Sequence, residues 1–259
     1  MSSVSLIAIC FAGGASATGK TDPLAFLKSK PYSELTSAEI TAAKAAARKR
    51  HINSLTFCAD PGNMPLSNRD REGFQNKIAE VVARKLGAHA SFFWRPYLER
   101  GLTRETFANN ECQVLLDMPS EATDVLTTTP IYRSTYVLAW RDDKGYDIKS
   151  LDDPLLTTER VGVFQHSAMR QALARRGIKE SLDIAIITSD ADLRPENQPW
   201  HQIQDVADGK LDIAAVWGPF AGWVKQVKGA PLIIRPANNM EDRIPMEFSL
   251  SMGVQNTDF

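Results

Sequence analysis

The chain has 259 residues, with 30 Lys and Arg against 31 Asp and Glu and a formal net charge of −1. Its basic residues are scattered, so nothing indicates a nucleic-acid surface, and the single basic run, "AAKAAARKRH", reads as a solvated helix end. After the N-terminal segment no apolar stretch reaches the ~18 residues that span a bilayer, so no membrane span is expected.

The first apolar run, "VSLIAICFAGGASA", closes on small residues, with Ala15-Ser16-Ala17 as an A-x-A cleavage pattern. It predicts a secretory signal peptide over residues 1–17 and an exported, periplasmic protein of about 240 residues. The overlapping string "GASATGKT", Gly14 to Thr21, also fits the phosphate-loop pattern G-x-x-x-x-G-K-[ST]. Such a loop works only between a buried strand and a long helix whose N-terminus faces the phosphates. Here "DPLAFLKSKP" follows, too short and too proline-bounded for that helix, so the leader is the better reading. Cys10 leaves with the leader, while Cys58 and Cys112 remain. An even pair in an oxidising compartment suggests a disulfide, the alternative being two buried free thiols. Cys58 lies late in its strand and Cys112 before its own, an offset that challenges the ~7 Å Cα limit of a bridge.

Residues 18–51 read as an extended arm followed by the helix "TSAEITAAKAAARKR", with Thr36 and Glu39 as a capping box. From 52 onward strands alternate with amphipathic helices. "INSLTFCAD" is a strand, and "FQNKIAEVVARKLG" is a helix with the stripe Phe74, Ile78, Val81, Val82 and Leu86, closed by Gly87. "HASFFWRPY" is a strand with Phe92, Phe93 and Trp94 in the core, "LTRETFANNE" a short helix and "CQVLLDMP" a strand. "TTTPIYRSTYVLAWRDD" is an extended run, after which "RVGVFQHS", "LDIAIITSD", "LDIAAVWGP", "APLIIRP" and "EFSLSMGV" are strands. The helices between them are "SAMRQALARRG", "PWHQIQDVADGK" and "FAGWVKQVKG". Such alternation implies parallel sheets covered on both faces, in two α/β lobes, 52–134 and 135–259.

Ligands of open α/β sheets bind at the carboxyl ends of strands. Those ends carry "CADPGNMPLSN", "DMPSEATD", "FQHSAMR" and "WGPFAGW", loops suited to a cleft between lobes. The expected cleft residues are Asp60, Asn63, Pro65, Ser67 and Asn68 from the first loop, facing Trp217, Gly218, Pro219, Phe220 and Trp223 from the last. The rings either wall a ligand cleft, form a protein-binding patch, or pack the lobe. No catalytic set is visible. His166 and Ser167 are adjacent, no G-x-S-x-G elbow occurs, and His51, His89 and His201 are scattered. Asp60, Asp117 and Asp212 stand at strand ends or starts, where carboxylates commonly cap helices or hold loops. No metal-ligand spacing is present, and a non-enzymatic protein is expected.

The strings "LTFCADPGNMPLSN", "GFQNKIAEVVARKLG", "TTTPIYRSTYVLAWR" and "GKLDIAAVWGPFAGW" resemble, in order and spacing, the MxaJ/XoxJ-type accessory proteins of pyrroloquinoline-quinone (PQQ) methanol dehydrogenases. The resemblance covers roughly residues 52–255. It implies an α/β type II periplasmic-binding-protein fold with two lobes, two hinge crossings and a central cleft. The implied partners are the methanol dehydrogenase large subunit, including its apo form, and its cytochrome c. No covalently bound cofactor is implied, and PQQ or a lanthanide enters only as cargo of the partner enzyme. The alternative is a solute receptor of an ABC transporter for a small polar or aromatic molecule. Two departures bear on the cleft. Amino-acid-binding relatives of the fold clamp a carboxylate with an arginine where this chain has "MPSEATDVL", and hold an ammonium with an acidic residue where it has Trp217-Gly218. Family members also continue past "SMGV" into one or two helices, so these are expected to be missing from a chain that stops at Phe259.

Overall fold

The computed structural model describes residues 36–42, 53–96, 102–241 and 243–255. The leader and the phosphate-loop string lie outside the described residues. So does most of the predicted first helix, of which 37–42 (α1) is described. Its capping box is present: the Glu39 N–H donates to Thr36 Oγ1 at 3.3 Å and the Thr36 N–H donates to Glu39 Oε2 at 2.8 Å.

From residue 53 the chain runs β1 (Ser54–Ala59), β2 (Gly62–Asn63), β3 (Ser67–Asn68), α2 (Phe74–Lys85), β4 (His89–Trp94), α3 (Leu102–Ala108), β5 (Val114–Pro119), β6 (Leu126–Thr127) and β7 (Tyr132–Arg141). It continues α4 (Leu155–Thr158), β8 (Val161–Phe164), α5 (Ala168–Arg175), β9 (Leu182–Ala185), α6 (His201–Ala207), β10 (Ile213–Trp217), α7 (Gly218–Gln226), β11 (Leu232–Pro236) and β12 (Glu247–Val254). The main sheet has the order β4-β1-β5-β12-β7-β10-β8-β9, with β11 on β7 and β6 on β12. The β1–β4, β1–β5, β8–β10 and β8–β9 pairs are parallel, as the alternation of strands and helices requires.

The centre of the sheet is antiparallel, which departs from the all-parallel expectation. Two strands cross it. In β7, Tyr132–Thr135 pair with Leu250–Glu247 of β12, while Val137–Trp140 lie between β10 and β11. In β12, the residues from Leu250 onward pair with β5. Each half-sheet therefore shares a strand pair with the other, and these are the two hinge crossings of a periplasmic-binding-protein fold.

Both faces of each half are buried, and the period of two shows which residue serves which face. In β1, Leu55, Phe57 and Ala59 join one cluster and Cys58 another. In β10, Ile213 and Ala215 pack with α5, whereas Ala214 and Val216 pack with α6 and α7. Two helix and strand assignments need correcting at the side-chain level. In α2 the buried residues are Gln75, Asn76, Ala79 and Ala83, while Val81 and Leu86 are 40% and 58% exposed. Ala79 and Ala83 join the apolar cluster with Ile78 and Val82 packed against it, while Gln75 and Asn76 hydrogen-bond to Asp117 and Ser67. Phe93 is 38% exposed on β4, the edge strand of the sheet. No helix among the described residues is long and apolar enough to cross a membrane.

Cys58 and Cys112 are bridged, with a Cα–Cα distance of 5.6 Å. The offset is there, since Cys58 stands opposite Leu115 in the β1–β5 register. It does not forbid the bridge, because Cys112 lies outside the ladder on the loop leaving α3 and that loop brings it to Cys58. The bridge closes a loop with a sequence separation of 54 residues. Cys58→Ala with Cys112→Ala should lower stability by about 2–4 kcal/mol, since a loop of this length gains much unfolded-chain entropy when cut. Urea denaturation of oxidised, reduced and doubly substituted protein measures it. Denatured, unreduced protein should show neither thiol open to labelling.

Candidate ligand-binding cleft

The carboxyl ends of β5 and β10 and the crossing segments of β7 and β12 surround a cavity of about 320 Å³. Asp117 and Pro119 end β5, Tyr132 and Tyr136 come from β7, Phe248 and Leu250 from β12, and Trp217 and Phe220 from the β10–α7 junction. Asn63 and Leu66 of the β2–β3 hairpin close one side. Three rings meet here: Tyr136 stands edge-on to Trp217 at 5.3 Å and to Phe248 at 6.4 Å, and Trp217 lies tilted to Phe248 at 6.0 Å.

A carboxylate lies among these rings. Asp117 Oδ1 accepts from the Tyr132 hydroxyl at 2.8 Å and from Gln75 Nε2 at 2.9 Å. Burial nevertheless raises the Asp117 pKa above the ordinary carboxylate range, the two hydrogen bonds oppose the rise, and the nearby Asp60 adds to it. Burial and the Asp117 charge likewise hold the Tyr132 phenol well above its usual range. Two buried oxygens here have no hydrogen-bond partner, Gln75 Oε1 and Asn63 Oδ1.

Of the residues expected in the cleft, Asn63, Trp217 and Phe220 line the cavity. Phe220 is largely core, 5% exposed and 6.5 Å from the Phe164 ring. The other members of the first loop shape the hairpin. Asp60 accepts from the Gly62 N–H, the Pro65 carbonyl from the Phe74 N–H, and the Ser67 hydroxyl from Asn76 Nδ2. The Asn68 N–H donates to Asn76 Oδ1. Gly218 starts α7 against β7, where a Cβ would meet the Thr135 carbonyl oxygen at 2.7 Å, and Pro219 takes the first turn. Trp223 is not among the lining residues. One helical turn and a half beyond Trp217, it turns away to pack on Trp200 at 5.2 Å, with Lys228 Nζ 5.0 Å from its ring. Ser167 caps α5 by accepting from the Arg170 N–H.

Sequence reasoning missed Tyr132, Tyr136, Phe248 and Gln75, and treated Asp117 only as one strand-end carboxylate among several. Tyr132 and Tyr136 at i and i+4 in an extended run share a sheet face, a signal that was there to read.

The hairpin does more than border the cavity. Leu66, 2% exposed, belongs to the apolar cluster of the second half, with Trp200, Phe220 and Val224. Arg69 pairs with Asp192 at 2.5 Å. The Gly62 backbone lies so close that a Cβ there would stand 2.4 Å from the Asp192 nitrogen. The first half thus reaches across the cleft and seats a leucine in the second.

No family model matches the chain. It is 30% identical over 252 residues to the protein MoxJ of Methylorubrum extorquens, covering 93% of this chain and 83% of the relative. Among solved structures, it resembles the periplasmic binding protein XoxJ of Methylobacterium extorquens AM1 with 32% identity and a TM-score of 0.61, covering 78% of this chain and 85% of that one. MxaJ of Methlophaga aminisulfidivorans MPT superposes with a TM-score of 0.63 at 25% identity, covering 79% and 87%.

Two measurements test this geometry. Gly62→Ala should lose about 1–3 kcal/mol through overpacking against the 191–192 backbone, whereas Gly222→Ala, which has nothing within 4 Å of the new methyl, should be neutral or stabilising. Equal urea midpoints for the two variants would remove the contact. The second concerns Asp117. Its native pKa is raised, so the stability it contributes is complete below the unfolded aspartate value of ~3.9 and is lost as pH rises through the native one. Asp117→Asn, which cannot ionise, should therefore gain on the parent protein as pH rises from about 4 to about 8, read from paired denaturation midpoints. Parallel pH curves would show that Asp117 titrates normally.

Proposed function

The chain belongs to the MoxJ, MxaJ and XoxJ type of periplasmic binding proteins, and from that membership we propose that it is a non-catalytic accessory protein of methanol oxidation. It acts in the periplasm, delivered by the leader at 1–17, and binds a quinoprotein methanol dehydrogenase through its large subunit or apo form during maturation. In this reading PQQ or a lanthanide is cargo of that enzyme, and its cytochrome c is a neighbour in the same assembly.

One observation about the cleft favours this over a transporter's amino-acid receptor. Among the described lining residues there is no Lys or Arg, so an α-carboxylate entering the cavity would lose its water without gaining a cationic partner. The aromatic wall suits a protein anchor or an apolar group instead. Such walls commonly carry most of an interface's binding energy through a few rings.

Pull-down of methanol dehydrogenase by this protein, beside titration calorimetry against the common amino acids, separates the two readings. The expected result is recovered dehydrogenase and no tight amino-acid binding. Trp217→Ala should weaken the association by roughly 2 kcal/mol. Trp223→Ala should act mainly on stability, since its ring packs on Trp200 outside the cavity. Micromolar affinity for an amino acid with no dehydrogenase recovered would establish the receptor reading instead.

A further inference from the structure

The free hydrogen-bonding capacity around the cavity is one-sided. Gln75 spends Nε2 on Asp117 and Tyr132, and Tyr132 spends its hydroxyl proton on Asp117. The buried atoms left without partners, Asn63 Oδ1 and Gln75 Oε1, are both acceptors. Asp117 adds a carboxylate, and Asp60 is near enough to act on it electrostatically. Around these acceptors stand the π-systems of Tyr136, Trp217 and Phe248, whose faces attract cations. Among the described residues no cationic side chain lines the space to neutralise it from within.

We propose that the cleft is the site for a small organic cation, an alkylated or methylated ammonium that carries no carboxylate of its own. Its positive charge lies beside Asp117 and its alkyl groups lie against the rings. A cavity of about 320 Å³ sits at the lower end of small-molecule sites, which fits a cation of few heavy atoms. The acidic group here is Asp117 at the end of β5, not a residue at the Trp217-Gly218 position where amino-acid receptors carry theirs, and among the described lining residues no cation stands ready for a carboxylate. The inference deepens the reading of this cleft as a binding site and does not depend on association with a dehydrogenase.

The probe set isolates charge from shape. Choline and 3,3-dimethylbutan-1-ol have the same outline and differ by a quaternary nitrogen in place of a carbon. Glycine betaine has the same ammonium plus a carboxylate. In titration calorimetry with the purified protein, choline or tetramethylammonium should bind at least about tenfold more tightly than the neutral alcohol, as a desolvated cation–π site requires. Betaine should bind more weakly than choline. Asp117→Asn and Trp217→Leu should each cost about tenfold or more while thermal unfolding stays cooperative. Should either variant fail to fold, the choline, alcohol and betaine comparison on the parent protein decides alone. Equal binding of choline and the alcohol, betaine binding as well as choline, or no saturable ammonium binding at millimolar concentration would each overturn the proposal. Because the titrations use this protein alone, such a failure leaves the dehydrogenase pull-down to be judged separately.

Discussion

Tyr132–Thr135 of β7 and Leu250–Glu247 of β12 pair with each other before each strand continues into a different half of the sheet, and the cleft hangs from that crossing. Alternation then assigns the side chains. Tyr132 and Tyr136 share one face of β7, while Phe248 and Leu250 share one face of β12, and all four line the cavity. The intervening residues take the opposite face, where Arg133 and Glu247 form an ion pair. A slip of one residue in this pairing would exchange the tyrosines for Arg133 and Thr135 and turn an aromatic cleft into a charged one. The register of four residue pairs therefore sets the chemistry of the site.

The same crossing explains why a carboxylate can stand in an apolar wall. Asp117 ends β5, next to β12 in the sheet, which brings it within reach of the Tyr132 hydroxyl at the start of β7. Gln75 arrives from the inner face of α2 and ties the phenol and the carboxylate together. A buried carboxyl with two donors is tolerable, but its raised pKa records that the burial is incompletely compensated. Such uncompensated groups, with two orphaned acceptors beside them, concentrate where a protein receives a ligand, not where it is merely packed.

The α/β alternation and nearly every main strand and helix were legible in the sequence, because apolar runs such as "LDIAAVWG" must be buried on both faces and the intervening helices supply the cover. The two crossings came only with the family resemblance, and the antiparallel centre was not legible in the alternation. The disulfide was legible as a pairing of two available cysteines, though its geometry depended on the path of the loop between α3 and β5. The cleft was only half legible. Trp217 stands at a strand's carboxyl end, where loop position alone marks it. Trp223 shares its string but faces Trp200, since helical geometry past Gly218 decides orientation and string proximity does not. Tyr132, Gln75, Asp117 and Phe248 come from four separate elements, so only the tertiary fold assembles them. The exposed Phe93 and Leu86 show the converse, apolar residues whose burial depended on an edge and a helix end.

The hairpin imposes an energetic condition on anything that enters the cleft from outside. Leu66 is anchored to the first half by its chain, yet its side chain completes the apolar cluster of the second. Parting the halves exposes that leucine, at about 1.5–3 kcal/mol for its side chain alone, and separates Arg69 from Asp192. An occupant that fits beneath the hairpin leaves these contacts intact and gains the cavity at no such cost. One that forces the halves apart must offset the loss with apolar surface of its own, laid over Trp217, Phe220 and the vacated leucine site. Small ligands and protein partners thus differ in how they couple to closure: the first binds the closed arrangement and stabilises it, while the second draws on the open one. If both bind the same cleft, linkage requires that each weaken the other.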